Sequence, residues 1–193
     1  MAFDLATKFL LAKALKFGKG EIQIYDIPVI LGPADCSVFL IHNLIKELGY
    51  AKAHDLIYNS LKKGNQEYCK ALRKNTKAEG RDLASLYEQI VTLGGYGVAN
   101  ITEFSLEKKR LVCRFYNSPI ANRYKEIFGK VGYCVDFVTN GLYAGSFNVL
   151  FNEDLDSVEV HCVAKGDPYC EFIYGEPEFI AKIRDTIPYF KNK

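Results

Sequence analysis

The chain has 193 residues, 49% of them apolar, with 13 Phe, 13 Tyr, no Trp and a single Met, so it is long enough for one well-filled core. Its 25 Lys and Arg against 23 Asp and Glu leave a formal charge of +2, too weak a field to steer a polyanion, and direct binding to nucleic acid is not expected. No apolar run is long enough to span a bilayer, and Asp4, Lys8, Lys13 and Lys16 interrupt the N-terminal stretch where a secretory signal needs an unbroken apolar core. A cytoplasmic protein is therefore expected. In that compartment the six cysteines are reduced, and clustered thiols favour metal over disulfide.

Along the chain, Phe3, Ala6, Leu10, Ala14 and Phe17 fall at helical spacing, which predicts an amphipathic helix over 2–17, ended by Gly18-Lys-Gly20 and docked on its own domain or on a second subunit. Glu21–Leu31 alternates as a hairpin with Asp26 and Pro28 near the bend. Pro33, Ala34 and Asp35 open a helix to about Leu48, with Phe39, Leu40, Leu44 and Leu48 facing inward. A second helix runs from Ala51 to about Lys74 on a buried stripe of Ala53, Leu56, Ile57 and Leu61, interrupted near Gly64; a third covers Arg81–Thr92. Val98–Phe104 and Arg110–Tyr116 read as an antiparallel pair. Ser118-Pro119 caps a helix to Phe128, another spans Tyr133 to about Asn148, and Val158–Ala164 with Tyr169–Tyr174 forms a hairpin before a last helix at Pro177. Without regular β-α-β alternation, the class is α+β: an antiparallel sheet with helices on one face.

The chemistry concentrates in the last third. Cys162-Val-Ala-Lys-Gly-Asp-Pro-Tyr-Cys170 turns at Gly166-Asp-Pro and brings two thiols together, with Glu159 three residues upstream and Cys134 supplied by a separate, helical segment. Three thiolates and a carboxylate fill a tetrahedral zinc sphere and leave no place for water, which is structural and not hydrolytic coordination. Side chains alternate along a strand, so Glu159 and Cys162 share an ion only if the strand bulges or ends near His161. His161 itself is an alternative ligand to Glu159. Donors from the Lys165-Gly-Asp turn, and Lys165 nearby, are expected to offset the charge.

Other patterns carry less. Gly94-Gly-Tyr-Gly97 lacks the strand-then-helix setting of a dinucleotide loop and reads as a turn. Cys36 lies in a helical first turn, but no base can be paired with it; Cys69 and Cys113 read as packing residues. Lys62-Lys63, Arg73-Lys74 and Lys77 read as a solvated helix face. The aromatics between 104 and 151 are mostly core, and some of them could line an apolar ligand pocket.

The motif Glu159-x-x-Cys162-x-x-x-Gly166-Asp167-x-x-Cys170-x-Phe172, preceded by Cys134 and a segment with Gly141 and Ala144-Gly145, resembles the 4-vinyl reductase domain family of predicted hydrocarbon-binding proteins over about Glu21–Tyr174. That domain is also the sensory part of phenol- and xylene-responsive activators, and its fold is shared with small subunits of the TRAPP tethering complex. The resemblance implies a homodimeric domain over 20–193, after an N-terminal helix over 1–19, with Zn2+ held by Cys134, Glu159, Cys162 and Cys170 in a zinc-stapled C-terminal hairpin. It implies a small apolar or aromatic ligand in an enclosed pocket, with occupancy reported through the dimer or a partner protein. No output module is expected after the last helix, and phenol specificity does not carry over. Binding is favoured over catalysis because no hydride-cofactor motif is visible. The alternatives are a reductase-type enzyme acting on a tetrapyrrole or similar ring with an external reductant, and a protein-interaction scaffold of the tethering-subunit kind.

Overall fold

The computed structural model describes residues 15–18 and 20–191. Three short strands, β1 (Leu15–Gly18), β2 (Glu21–Ile24) and β3 (Ile27–Val29), form an antiparallel meander. Tyr25 and Asp26, both at positive φ (51° and 65°), make the two-residue turn that matches the twist of the flanking strands. Of the stretch expected as a helix over 2–17, Leu15, Lys16 and Phe17 are instead strand residues paired with Ile24, Gln23 and Ile22, and residues 2–14 lie outside the described residues. Alternation at Leu15, Phe17, Ile22 and Ile24 fits a strand as well as a helix end, and pairing with β2 decides it.

Three helices follow: α1 (Ala34–Leu48), α2 (Tyr50–Thr76) and α3 (Gly80–Leu93). Gly49, at φ 77°, closes α1 and opens α2 in a conformation that favours glycine. Of the expected inward face of α1 only Leu44 packs against the core. Val38 and Ile41 are fully buried, whereas Phe39, Leu40 and Leu48 are 46%, 53% and 42% exposed. The unbroken apolar run Val38-Phe-Leu-Ile41 offers two faces at once, so periodicity cannot choose between them. In α2, Ala53 and Ile57 are buried but Leu56 is 51% exposed, and the helix passes through Gly64 without a break.

The main sheet comprises β4 (Val98–Ser105), β5 (Arg110–Tyr116), β6 (Asp156–His161) and β7 (Cys170–Gly175), all antiparallel, in the order β4-β5-β7-β6. Leu111, Cys113 and Phe115 on β5, with Cys170, Phe172 and Tyr174 on β7, form its buried face. The opposite face carries the half-buried pair Arg114–Glu171, 2.5 Å apart. Between β5 and β6 come α4 (Pro119–Phe128), capped by the Ser118 hydroxyl on the Ala121 N–H, and α5 (Phe137–Phe151). α5 begins later than expected, at Phe137 and not at Tyr133: residues 133–136 have no regular structure, and Asp136 caps the helix. A final helix α6 (Pro177–Arg184) packs along β6 and β7, and a turn of 3-10 helix follows at Pro188–Phe190.

α5 is the central element. It is buried from Phe137 to Leu150 apart from Leu142, with the sheet on one side and α2 on the other. An all-round buried helix must satisfy its polar side chains internally. Asn140 accepts the Ser157 hydroxyl at 2.6 Å, and Asn148 accepts the Leu155 N–H at 3.0 Å and donates to Asp154. Small residues let α2 approach: a Cβ on Gly141 would lie 2.7 Å from the Tyr58 carbonyl. No helix among the described residues is long and apolar enough to cross a membrane.

Candidate metal centre

The site forms where the end of β6, the start of β7 and the irregular segment before α5 converge. The pairing of β6 with β7 slips by one residue between Glu159 and His161, leaving Val160 as a bulge. Without it, Glu159 and His161 would share a face. With it, Glu159 turns inward, His161 turns out, and Cys162, just past the strand end, turns inward again. Glu159 is accordingly 4% exposed, Cys162 is fully buried, and the His161 side chain is 48% exposed. His161 faces Asp167 at 3.6 Å and Glu171 at 4.0 Å on the outside of the hairpin and takes no part in the cluster. The hairpin strand is shorter than expected: Val163–Lys165 form a 3-10 turn.

Cys134, Glu159 and Cys162 bring one ligand atom each to within 4.8 Å of one another. The Cys170 sulfur lies 3.9 Å from that of Cys162. All three cysteines are fully buried. Cys134 reaches the cluster from the irregular segment before α5 and not, as expected, from a helix. One Glu159 oxygen accepts the Asp136 N–H at 2.9 Å, while the other, Oε1, is buried and meets no protein donor. Such an orphaned carboxylate oxygen costs about 1–3 kcal/mol or more unless a cation or proton satisfies it.

Four acids in one buried place cannot all ionise unaided. Burial pushes the Glu159 carboxyl well above the usual carboxylate range, and the nearby Cys162 and Asp136 raise it further. Burial and the Cys162 sulfur likewise push the Cys134 thiol well up, and the hydrogen bond to Cys162, then burial, does so for Cys170. Burial also opposes ionisation of Cys162, but the side chains of Cys134, Cys170 and Glu159 beside it and the Val135 N–H outweigh it and hold that thiol well below its ordinary range.

The surroundings differ from the expected turn donors. The N–H groups of Lys165 and Asp167 bond the Cys162 carbonyl at 2.9 and 3.2 Å, and the Lys165 ammonium bonds the Val160 carbonyl at 3.1 Å. Asp167 instead accepts the Cys162 N–H at 2.8 Å. Direct donation to sulfur comes from the Tyr189 hydroxyl, 3.2 Å from Cys134 Sγ. Asp136 ties the site to two helices, since it caps α5 through the Thr139 N–H and accepts the Ser118 hydroxyl at 2.7 Å. Burial raises its carboxyl to about 6. Sequence reasoning missed Asp136 and Tyr189. An Asp just before an apolar helical run is a recognisable cap, whereas nothing local marks Tyr189.

Of the remaining cysteines, Cys36 is exposed, and Cys69 and Cys113 are buried in packing positions. Cys69 sits against the Ser146 hydroxyl at 3.3 Å, and burial raises its thiol to about 11.

No protein-family model matches the sequence, and no curated protein matches it either. Among solved structures, the phenol-responsive sensory domain of the transcription activator PoxR, crystallised with phenol, aligns with a TM-score of 0.77 at 17% identity, covering 99% of this chain and 100% of that one. Subunit 3 of the trafficking protein particle complex from Naegleria fowleri, covalently bound to palmitic acid, gives 0.56 at 13% identity over 74% of this chain and 91% of that one. A vinyl-4-reductase family protein from Methanocaldococcus jannaschii gives 0.45 at 21% identity over 74% and 93%. The chain has the fold that the Glu159–Cys170 signature implies, the one it shares with the PoxR sensory domain.

Proposed function

We propose that this chain is a zinc-stapled domain that binds a small aromatic molecule in its core and reports occupancy through a homodimer or a partner protein. Zinc would be held by Cys134, Glu159, Cys162 and Cys170. Two sulfurs on a tetrahedral zinc, each at about 2.3 Å, stand roughly 3.8 Å apart, and the Cys162–Cys170 separation of 3.9 Å matches that edge and is far longer than a disulfide. The orphaned Glu159 Oε1 supplies the light-atom ligand. With four protein ligands the ion stabilises the hairpin and offers no open position for chemistry.

The observation that carries the ligand reading is a pair of tyrosine hydroxyls in the aromatic interior. Tyr143 and Tyr174 are fully buried with ring centroids 6.3 Å apart, they flank Phe147, and neither hydroxyl has a protein partner. A core selected for packing alone places Phe there, because an unmade buried hydrogen bond costs about 1–3 kcal/mol. A small molecule with an aromatic body and one or two hydrogen-bonding groups would satisfy both. The shared fold with a phenol-responsive sensory domain supports this reading, and an apolar acyl group carried by the trafficking-complex subunit is consistent with it. Exposed Phe17, Ile30, Leu31 and Leu40 supply apolar surface for a second copy. A reducing, cytoplasmic setting suits the thiolates.

The test is a thermal-shift and calorimetric titration with phenol, alkylphenols, toluene and a tetrapyrrole. Binding by a phenolic at 100 times its Kd raises stability by about 2.7 kcal/mol, roughly 5–10 °C in a chain of this size. A flat response across the panel, together with no apolar molecule retained in a native mass spectrum, removes the ligand reading.

A further inference from the structure

Tyr189 lies outside both the sheet and the hairpin, yet its hydroxyl donates to a cluster sulfur, at 3.2 Å from Cys134. It comes from the turn after α6. The backbone hydrogen bonds of that turn are all local: Thr186 to Ile183, Ile187 to Arg184, Phe190 to Ile187 and Lys191 to Pro188, at 2.9–3.2 Å. What fastens the turn to the body is side-chain contact. The Tyr189 ring packs edge-on against Tyr50 with centroids 4.6 Å apart, and Phe190 packs against Tyr50 at 5.3 Å and His54 at 4.9 Å. Arg184 sits over the Phe190 ring at 5.6 Å and is itself held by the Ser157 carbonyl at 2.7 Å and Asp156 at 3.2 Å.

We infer that residues 185–191 are a strap over the Cys134 side of the metal site, and that Tyr189 is the positioning residue that controls how readily the ion leaves. The inference rests on the zinc reading above. Three thiolates and a carboxylate around a divalent ion leave a net charge of −2, so every hydrogen bond donated to sulfur steadies the site. The hydroxyl of Tyr189 gives that bond, and its ring stands behind it against Tyr50, Tyr133 and Phe190. Because its backbone hydrogen bonds are all local, the strap lifts by breaking side-chain contacts, namely the Tyr189–Cys134 hydrogen bond and the ring contacts with Tyr50 and His54. Lifting removes donor and cover together, exposing Cys134 to an incoming chelator or electrophile while the β6–β7 hairpin stays intact.

The experiment compares the full-length wild type with Tyr189→Phe, Tyr189→Ala and Phe190→Ala. Zinc-loaded protein is mixed with excess chromogenic chelator and release is followed by absorbance; in parallel, metal-free protein is treated with iodoacetamide and alkylation of each cysteine is mapped by mass spectrometry. Tyr189→Ala should release zinc about 10–100-fold faster at unchanged zinc stoichiometry, with Tyr189→Phe between it and wild type because cover remains and the donor is lost. Phe190→Ala should also speed release. Alkylation of Cys134 should rise selectively in Tyr189→Ala, with Cys162 and Cys170 unchanged. Release rates within twofold of wild type in all three variants, or alkylation rising equally at all three cysteines, overturns the strap. Absence of zinc from the wild type sinks the zinc reading instead, and the alkylation pattern then decides the strap alone.

Discussion

The backbone carbonyl of Lys62 occupies the space that a Cβ on Gly145 would need, with the Gln66 N–H 2.9 Å from the same point. α2 and α5 thus meet backbone to backbone, and neither atom can move without breaking its helix. Gly145→Ala should lower stability by about 3 kcal/mol, or roughly 6–12 °C in midpoint. Gly64, inside α2 with open space around it, is the control. Gly64→Ala should raise stability by about 1 kcal/mol, since Ala is the better helix former. Circular-dichroism melts of the two variants check both signs.

His54 is buried between Tyr50 and Tyr58, with stacked centroid distances of 6.2 and 5.2 Å, and burial lowers its pKa from the ordinary 6.5 despite the Asp55 carboxylate beside it. The unfolded chain takes up a proton near 6.5 and the folded chain resists. Stability from this group is therefore complete above 6.5 and is lost as pH falls toward the folded value. The slope approaches about 1.4 kcal/mol per pH unit. His54→Gln should flatten it. Denaturant titrations at pH 7.5, 6.5 and 5.5 on both proteins give the difference, which separates His54 from the ligand thiols that also gain protons in acid. Equal slopes would remove His54 as the source.

Tyr143 and Tyr174 present a hydroxyl each to the interior with no protein partner. Tyr143→Phe and Tyr174→Phe should each stabilise the ligand-free protein by about 1 kcal/mol and weaken a phenolic ligand about fivefold or more, leaving an unsubstituted arene unaffected. Chemical denaturation and calorimetry measure the two halves. Destabilisation by either substitution would mean that the hydroxyl is already satisfied.

Much of this was legible in the residues. Ser118-Pro119 and the Gly94–Gly97 turn mark element ends by chemistry that acts within a few residues, and α3, α4 and β4 fall where those signals put them. The bulge at Val160 meets the condition under which Glu159 and Cys162 can turn the same way at the end of β6. Long-range choices were not legible. Which apolar face of α1 is buried depends on α2 and α4, and Leu15–Phe17 become strand because β2 is there to pair with them. Cys134 precedes its helix because Asp136, buried and bonded to Ser118, caps it at that point. Tyr189 belongs to the site through tertiary packing alone.

The most direct measurement is zinc K-edge X-ray absorption on protein purified without added chelator, with total metal quantified on the same sample. The account predicts one zinc per chain with about three sulfurs near 2.3 Å and one oxygen near 2.0–2.2 Å. A shell of light atoms only, or a zinc-free protein in which Cys162 and Cys170 are joined as a disulfide, would contradict it.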